Sequence, residues 1–335
     1  MYSTDWAEDV AADEEARFTR IAETLQAVQK GRNERYGEKA RTLHRKAHAG
    51  VAVTLDVRAD LASVLPSELH VGPFQPGASY AGFVRFSNGG FDRAPKDVPD
   101  VRGVAIKLLG VRGPKALGEA DTQDFLLNFG SKQATKSPEE FIALVDAASK
   151  GGPLGTFFRM GSAIGYGRAF AILKATVAAF GLPFRGYASE AFNSMVPYRF
   201  GSTAARFGLL AVDGRPQAGP TLAADLVARL GEGAAWTFRV QLYQDARRTP
   251  IEDATVDWDA PWIDVGTLRV PPADVASEAG QRVAAYVEKL AFDPWHAHEL
   301  LRPVGAFNRA RKVAYFLGSA QHRETIPDGE VVAQP

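Results

Sequence analysis

Between His48 and Phe129 the chain is written as short alternating runs separated by turns, with no helical-period stretch between them. Val51, Val53, Leu55 and Val57 alternate with Ala52, Thr54 and Asp56, the period-two pattern of a half-buried strand over His48–Val57. Ala81–Ser87 is a second strand, closed by the turn signal Asn88-Gly89-Gly90, and Gly103–Leu109 and Asp124–Phe129 are two more. A parallel sheet needs a long crossover, usually a helix, between successive strands. Strands that follow one another through turns therefore predict an antiparallel sheet or barrel. Tyr198–Phe200, Arg206–Val212, Trp236–Tyr243, Ala254–Val256 and Asp264–Val270 are read as its later strands.

Helices are expected around this sheet. Ala12–Lys30 carries Phe18, Ile21, Leu25 and Val28 at helical spacing, with Gly31 as the stop. Pro138–Ser149 has Ser137 as N-cap and Glu139 and Glu140 in its first turn. Thr221–Arg229, Val275–Phe292 and Gly305–Ala320 complete the helices outside the apolar stretch described next. The fold class read from this order is α+β: an antiparallel β-barrel core with an N-terminal helical arm (1–40) and C-terminal helices, in one domain over 41–325. Residues 326–335 are read as a mobile tail.

The most apolar stretch, Phe157–Leu182, is interrupted by Arg159, Arg168 and Lys174. A membrane-crossing helix needs about 20 largely uncharged residues, so no transmembrane segment is predicted. The insert 153–183 reads as a helix hairpin that is buried or lines a channel, with contact to lipid as the alternative.

Composition narrows the chemistry. The 39 Lys and Arg balance 39 Asp and Glu, which argues against nucleic acid as the partner. The sequence contains no cysteine, which excludes disulfides, thiolate catalysis and iron–sulfur clusters. The acidic start Met1–Asp9 lacks a secretory pattern, and a cytoplasmic protein is expected. No Gly-x-Ser-x-Gly elbow, Walker loop or dinucleotide loop is found, and no NADPH site is evident. The number of copies in the assembled protein stays open, with a homo-oligomer one of the readings.

One pair offers a specific chemistry. Arg311 and Tyr315 stand four apart in a helical stretch and share a face. A permanent cation beside a phenol favours the phenolate, and a tyrosinate is one of the axial ligands that hold haem iron.

Several segments, in order from 41 to 315, resemble the haem catalase superfamily. Arg41-Thr42-Leu43-His44 is similar to the family's Arg-x-x-His segment and Val84-Arg85-Phe86-Ser87 to its Arg-Phe-Ser segment. Arg102–Lys107 resembles its Arg-Gly-Phe-Ala-x-Lys strand, Trp236-Thr237-Phe238 its Trp-Thr-Phe strand, and Phe292-Asp293-Pro294 its Phe-Asp-Pro turn. Arg311…Tyr315 then falls at the proximal Arg-x-x-x-Tyr.

The resemblance implies a short, divergent member with a catalase-like barrel that binds ferric haem b. It makes Tyr315 the metal ligand, backed by Arg311, and His44 the distal proton carrier, oriented by Ser87. It places Arg41, Arg85 and either Arg323 or His322 on the propionates, and Phe125 beside the distal pocket. Arg45-Lys46-Ala47-His48 also satisfies Arg-x-x-His, so His48 competes with His44, which the distance to the strand Val53–Val57 favours.

The family's distal asparagine has no counterpart in Glu119–Phe125, where Asp121 or Gln123 is left to approach the peroxide. Tyr315 is followed by Phe316, where the family usually has proline. The activity implied is catalase-like or peroxidase-like, on hydrogen peroxide or organic hydroperoxides. Two alternatives stand beside it: rearrangement of lipid hydroperoxides, as in allene oxide synthase-like members, and a barrel that binds haem or a hydrophobic ligand without catalysis.

Overall fold

The alternating runs pair with their neighbours as antiparallel strands. In the computed structural model, which describes residues 2–90, 92, 97–214 and 219–319, nine strands are present. They are β1 (Ala47–Val57), β2 (Ser79–Asn88), β3 (Arg102–Leu109), β4 (Thr122–Phe129), β5 (Ala191–Asn193), β6 (Tyr198–Phe200), β7 (Thr203–Ala211), β8 (Ala234–Leu242) and β9 (Trp262–Val270). They run in the order β5-β4-β3-β2-β1-β9-β8-β7-β6, and a further pairing of β5 with β7 closes the sheet on itself. The closed ring is an eight-stranded antiparallel barrel, with β6 hanging on β7 as an extra strand.

Strand parity divides the barrel wall. One rung runs Val51–Val84–Ile106–Phe125 across β1 to β4 and faces the interior, where it joins Phe74, Phe207, Phe238 and Trp236 in a single core. The next rung, Gly50–Arg85–Ala105–Leu126, has the opposite parity and faces outward. So does Ala47–Ser87–Gly103–Asn128. The outward face is small in places because other elements lie directly on it. A Cβ at Gly50 would come within 2.7 Å of Val287, on helix α6 (Glu278–Lys289).

Among the described residues, seven α-helices accompany the barrel. α1 (Glu14–Tyr36) runs past Gly31, which a helix interior tolerates, and stops at Gly37, left-handed at φ 63° with its N–H on Asn33 O. α1 packs Phe18, Ile21 and Leu25 against Ala310 and Val313 of α7 (Ala306–Ser319) and Ile142 of α2 (Pro138–Ser149). Arg309 of α7 ties this corner together, donating to Glu8, Glu14 and Glu252. α5 (Leu222–Glu232) is N-capped by Thr221.

Two expectations change. The predicted strand at Ala254–Val256 is turn and coil, because Asp253 caps the backbone and hydroxyl of Thr255 and holds the segment in a turn. The apolar insert does form a hairpin, α3 (Pro153–Ile164) and α4 (Tyr166–Phe180), but only part of it is buried: Met160, Ala169 and Ile172 pack on Ala147 of α2. Leu154, Phe158, Phe170 and Val177 are exposed. No helix among the described residues is long and apolar enough to cross a membrane. The tail 326–335 lies outside the described residues.

A buried ion pair anchors the outward face. Lys107 on β3 donates to both oxygens of Asp124 on β4, at 2.6 and 2.7 Å, and Asp124 also accepts from the backbone N–H of Asp293. The pair thus ties the barrel wall to the Phe292-Asp293-Pro294 turn. Removing one member strands the other as a buried, unpaired charge, so Lys107→Met is expected to cost about 3–5 kcal/mol. Replacing both residues with apolar ones is expected to recover much of that loss, as read by denaturant midpoints.

Candidate functional site

The outward face of β2 to β4 carries the first cluster. Arg85 and Ser87 project from alternate positions of β2, and Asn128 lies across Gly103 from Ser87. His44 arrives from the loop before β1. Its Nδ1 lies 3.0 Å from Ser87 Oγ, its backbone N–H donates to Gly89 O, and its carbonyl accepts from Arg85 Nη2 at 2.8 Å. These contacts hold His44 at φ 53°, a left-handed backbone that a side-chain-bearing residue seldom adopts. Such strain persists only where the surroundings over-determine it, and it gathers at functional sites.

Gly103 makes room for the imidazole. A Cβ there would sit 2.6 Å from His44 Nδ1, closer still to Cε1, and 3.3 Å from Asn128 Oδ1. The ring and the amide therefore crowd the same point above the strand. Sequence reading did not single out Asn128. It lies four positions after Asp124, on the same face of the same strand, beyond the Glu119–Phe125 stretch. Counting parity from Asp124 would have found it.

Asp121 is not brought to the site. It lies just outside the opposite end of β4, its side chain is 53% exposed, and it pairs with Lys115 at 3.7 Å. Gln123 is also remote, accepting the His298 backbone N–H. Phe125 has interior parity and packs edge-on against Phe207 and Phe238, with ring centroids 4.8 and 5.0 Å apart, so it belongs to the barrel core. His48 occupies a β-bulge in β1, and its Nε2 meets Asn88 Oδ1 at 2.8 Å. Tyr187 donates to the same oxygen. His48 is thus held in a separate network, whereas His44 meets Ser87. Arg323 and His322 lie outside the described residues.

The cations form a second layer. Arg41 and Arg85 share one carboxylate: Arg41 Nη1 donates to Glu288 Oε1 at 2.7 Å and Arg85 Nε to Oε2 at 2.8 Å. Two guanidiniums on one carboxylate leave a net positive charge beside His44.

Arg311 and Tyr315 stand on α7, one turn apart. Arg311 Nη1 donates to Asn308 Oδ1 at 3.3 Å. Burial pushes the Tyr315 phenol above its ordinary pKa, while Arg311 and Arg41 pull it down without overcoming burial.

The two clusters lie within electrostatic reach of each other. The field of Arg311 reaches His44, and that of Arg41 reaches Tyr315. His44 and Tyr315 are both partly buried. Tyr198, fully buried, lies in the field of Arg311 and Tyr315, and its hydroxyl has no hydrogen-bond partner among the described residues. Two surface grooves, of about 420 and 370 Å³ along β1, β8 and β9, contain none of these groups and carry no comparable chemistry.

The donor set suits a ferric porphyrin. It offers a phenol with a cation on its own helix, an imidazole held by a hydroxyl, and arginines for carboxylates.

No protein-family model matches the sequence. A catalase-related peroxidase from Mycolicibacterium paratuberculosis is 28% identical over 256 residues, covering 70% of this chain and 75% of the relative. Catalase A from Saccharomyces cerevisiae superposes with a TM-score of 0.62 at 17% identity, over 86% of this chain. A bacterial catalase superposes with a TM-score of 0.58, also at 17% identity, over 96% of this chain. The chain spans 62% of each of these two solved catalases. The barrel with its helices is therefore the catalase fold. The sequence is similar to that of the catalase-related peroxidase, and the solved catalases share the fold.

Burial, followed by the charges of Arg85, Arg311 and Arg41, lowers the His44 pKa to about 3. The folded state thus binds this proton more weakly than the unfolded chain, whose histidines titrate near 6.5. Acidification below about 6.5 favours unfolding through this group, and the effect grows until about pH 3. The ring protons of His44 are expected to hold their neutral chemical shifts down to about pH 5 by NMR. Gly103→Ala is expected to shift those resonances while leaving the far-ultraviolet circular dichroism unchanged.

Proposed function

We propose that the chain is a haem-dependent peroxidase that cleaves hydrogen peroxide or organic hydroperoxides. The observation that carries the reading is His44, held by Ser87 and crowded against Asn128, within electrostatic reach of Arg311, which stands one turn from Tyr315 on α7. Tyr315 would hold the iron through its phenol oxygen, and Arg41 and Arg85 the porphyrin carboxylates. When bound, ferric haem supplies the redox chemistry of peroxide cleavage.

The residues divide the remaining work. With Nδ1 donating to Ser87 Oγ, His44 Nε2 keeps its lone pair and can accept the proton from one peroxide oxygen, then return it to the other. A pKa far below neutral keeps that lone pair available at working pH. The Asn128 amide can donate a hydrogen bond to the peroxide and fix its orientation. Because burial raises the Tyr315 phenol, its ionised form needs the added positive charge of ferric iron as well as Arg311.

Rearrangement of a lipid hydroperoxide is the second reading, favoured by the exposed apolar hairpin α3–α4. It uses the same residues and differs in product.

The purified holoprotein is expected to show a ferric Soret band that Tyr315→Phe abolishes. His44→Ala is expected to keep the band and lose about 10²–10⁴-fold in peroxide turnover. Oxygen release from hydrogen peroxide supports the catalase reaction. Oxidation of an added donor supports the peroxidase reaction. Isomerised fatty hydroperoxide, with neither of these, supports rearrangement. A Soret band with no turnover of any peroxide would leave a binding barrel only.

A further inference from the structure

Exposed apolar side chains are concentrated on the hairpin. Half of the fourteen exposed large hydrophobic residues among those described lie in α3, α4 and the turn after them, including Leu154 and Val177 at 70% and Phe170 at 63%. Scattered exposed apolar residues are ordinary, but a contiguous set marks an interaction surface. These are contiguous. Tyr166, Phe170, Lys174 and Val177 follow one another at spacings of four, four and three along the outer side of α4, and Leu154 and Phe158 do so on α3. Rings of Phe158 and Tyr166 meet at the corner, with centroids 6.4 Å apart. The opposite side of the hairpin is already covered, through Met160, Ala169 and Ile172 against α2.

Charge selects the occupant. From Ala147 to Ser189 the chain carries five Lys and Arg and no Asp or Glu, although acidic residues number 39 of 335 overall. Arg168 is taken by Glu140, and Arg185 by Glu190. Arg159 is turned onto backbone carbonyls. Lys174 stays exposed in the middle of the apolar stripe, with no acidic partner among the described residues. A second copy of the same surface would bring like charges together. An anionic bilayer complements it: the apolar rings enter the interface, Tyr166 keeps its hydroxyl at headgroup level, and Lys174 reaches a lipid phosphate. With 12 and 15 residues the helices are too short to cross, so they lie on the surface.

We propose that the α3–α4 hairpin seats the protein on anionic lipid bilayers. The proposal does not depend on the peroxidase reading, since binding is measured without turnover.

The full-length protein is mixed with vesicles of phosphatidylcholine alone, or of phosphatidylcholine with phosphatidylglycerol, and sedimented. Co-sedimentation with the anionic vesicles is expected, with about tenfold weaker binding for Lys174→Glu. The double variant Phe170→Gln, Val177→Gln is expected to bind at least about tenfold more weakly. All these positions are exposed, and unchanged circular dichroism would show that the variants fold. No binding to either vesicle overturns the proposal. So does equal binding to both that Lys174→Glu leaves unaltered. A concentration-dependent oligomer that the double variant dissolves, without vesicle binding, would make the hairpin a contact between copies and overturn it equally.

Discussion

Alternation along β2, β3 and β4 governs both the stability of this protein and its candidate chemistry. Odd and even positions of one wall do opposite work. Val84, Phe86, Val104, Ile106, Phe125 and Leu127 fill the barrel, while Arg85, Ser87, Gly103, Lys107, Asp124 and Asn128 look outward beneath the loops and helices. A slip of one residue in any of these strands would exchange the two sets. The apolar interior therefore fixes the register, and the register aligns Ser87 and Asn128 on either side of Gly103.

What could be read from the sequence followed from the same alternation. The strands, their antiparallel order and the placement of His44 near Ser87 were legible, because period-two patterning and the motif segments are local. Asn128 was missed because the segment was aligned by resemblance of residue types around Asp121 rather than by parity along the strand. Phe125, placed beside the distal pocket by resemblance in a reading compatible with core packing, stands an odd number of positions from Asn128 and packs in the core. Gly31 was mistaken for a helix stop because glycine alone does not end a helix, whereas Gly37 adopts the left-handed backbone that does. The exposure of the α3–α4 hairpin was not legible, since apolar composition does not say which side a neighbour covers.

Burial and charge act in the same direction on His44. Both lower its basicity, so the ring stays neutral without a carboxylate to balance it. On the other side burial works against ionisation of Tyr315 and Arg311 works for it, with burial ahead. The asymmetry leaves the imidazole ready in its neutral form and the phenol waiting for a further positive charge.

The fastening of α1 to α7 has a consequence for biosynthesis. Arg309 grips Glu8 and Glu14, partners some 300 positions earlier in the chain, and α7 carries Tyr315. During translation the barrel wall and the first helix emerge long before the helix that brings the phenol. Groups on the barrel wall such as His44 and Ser87 therefore gain their neighbours on α7 only after some 300 residues have been made.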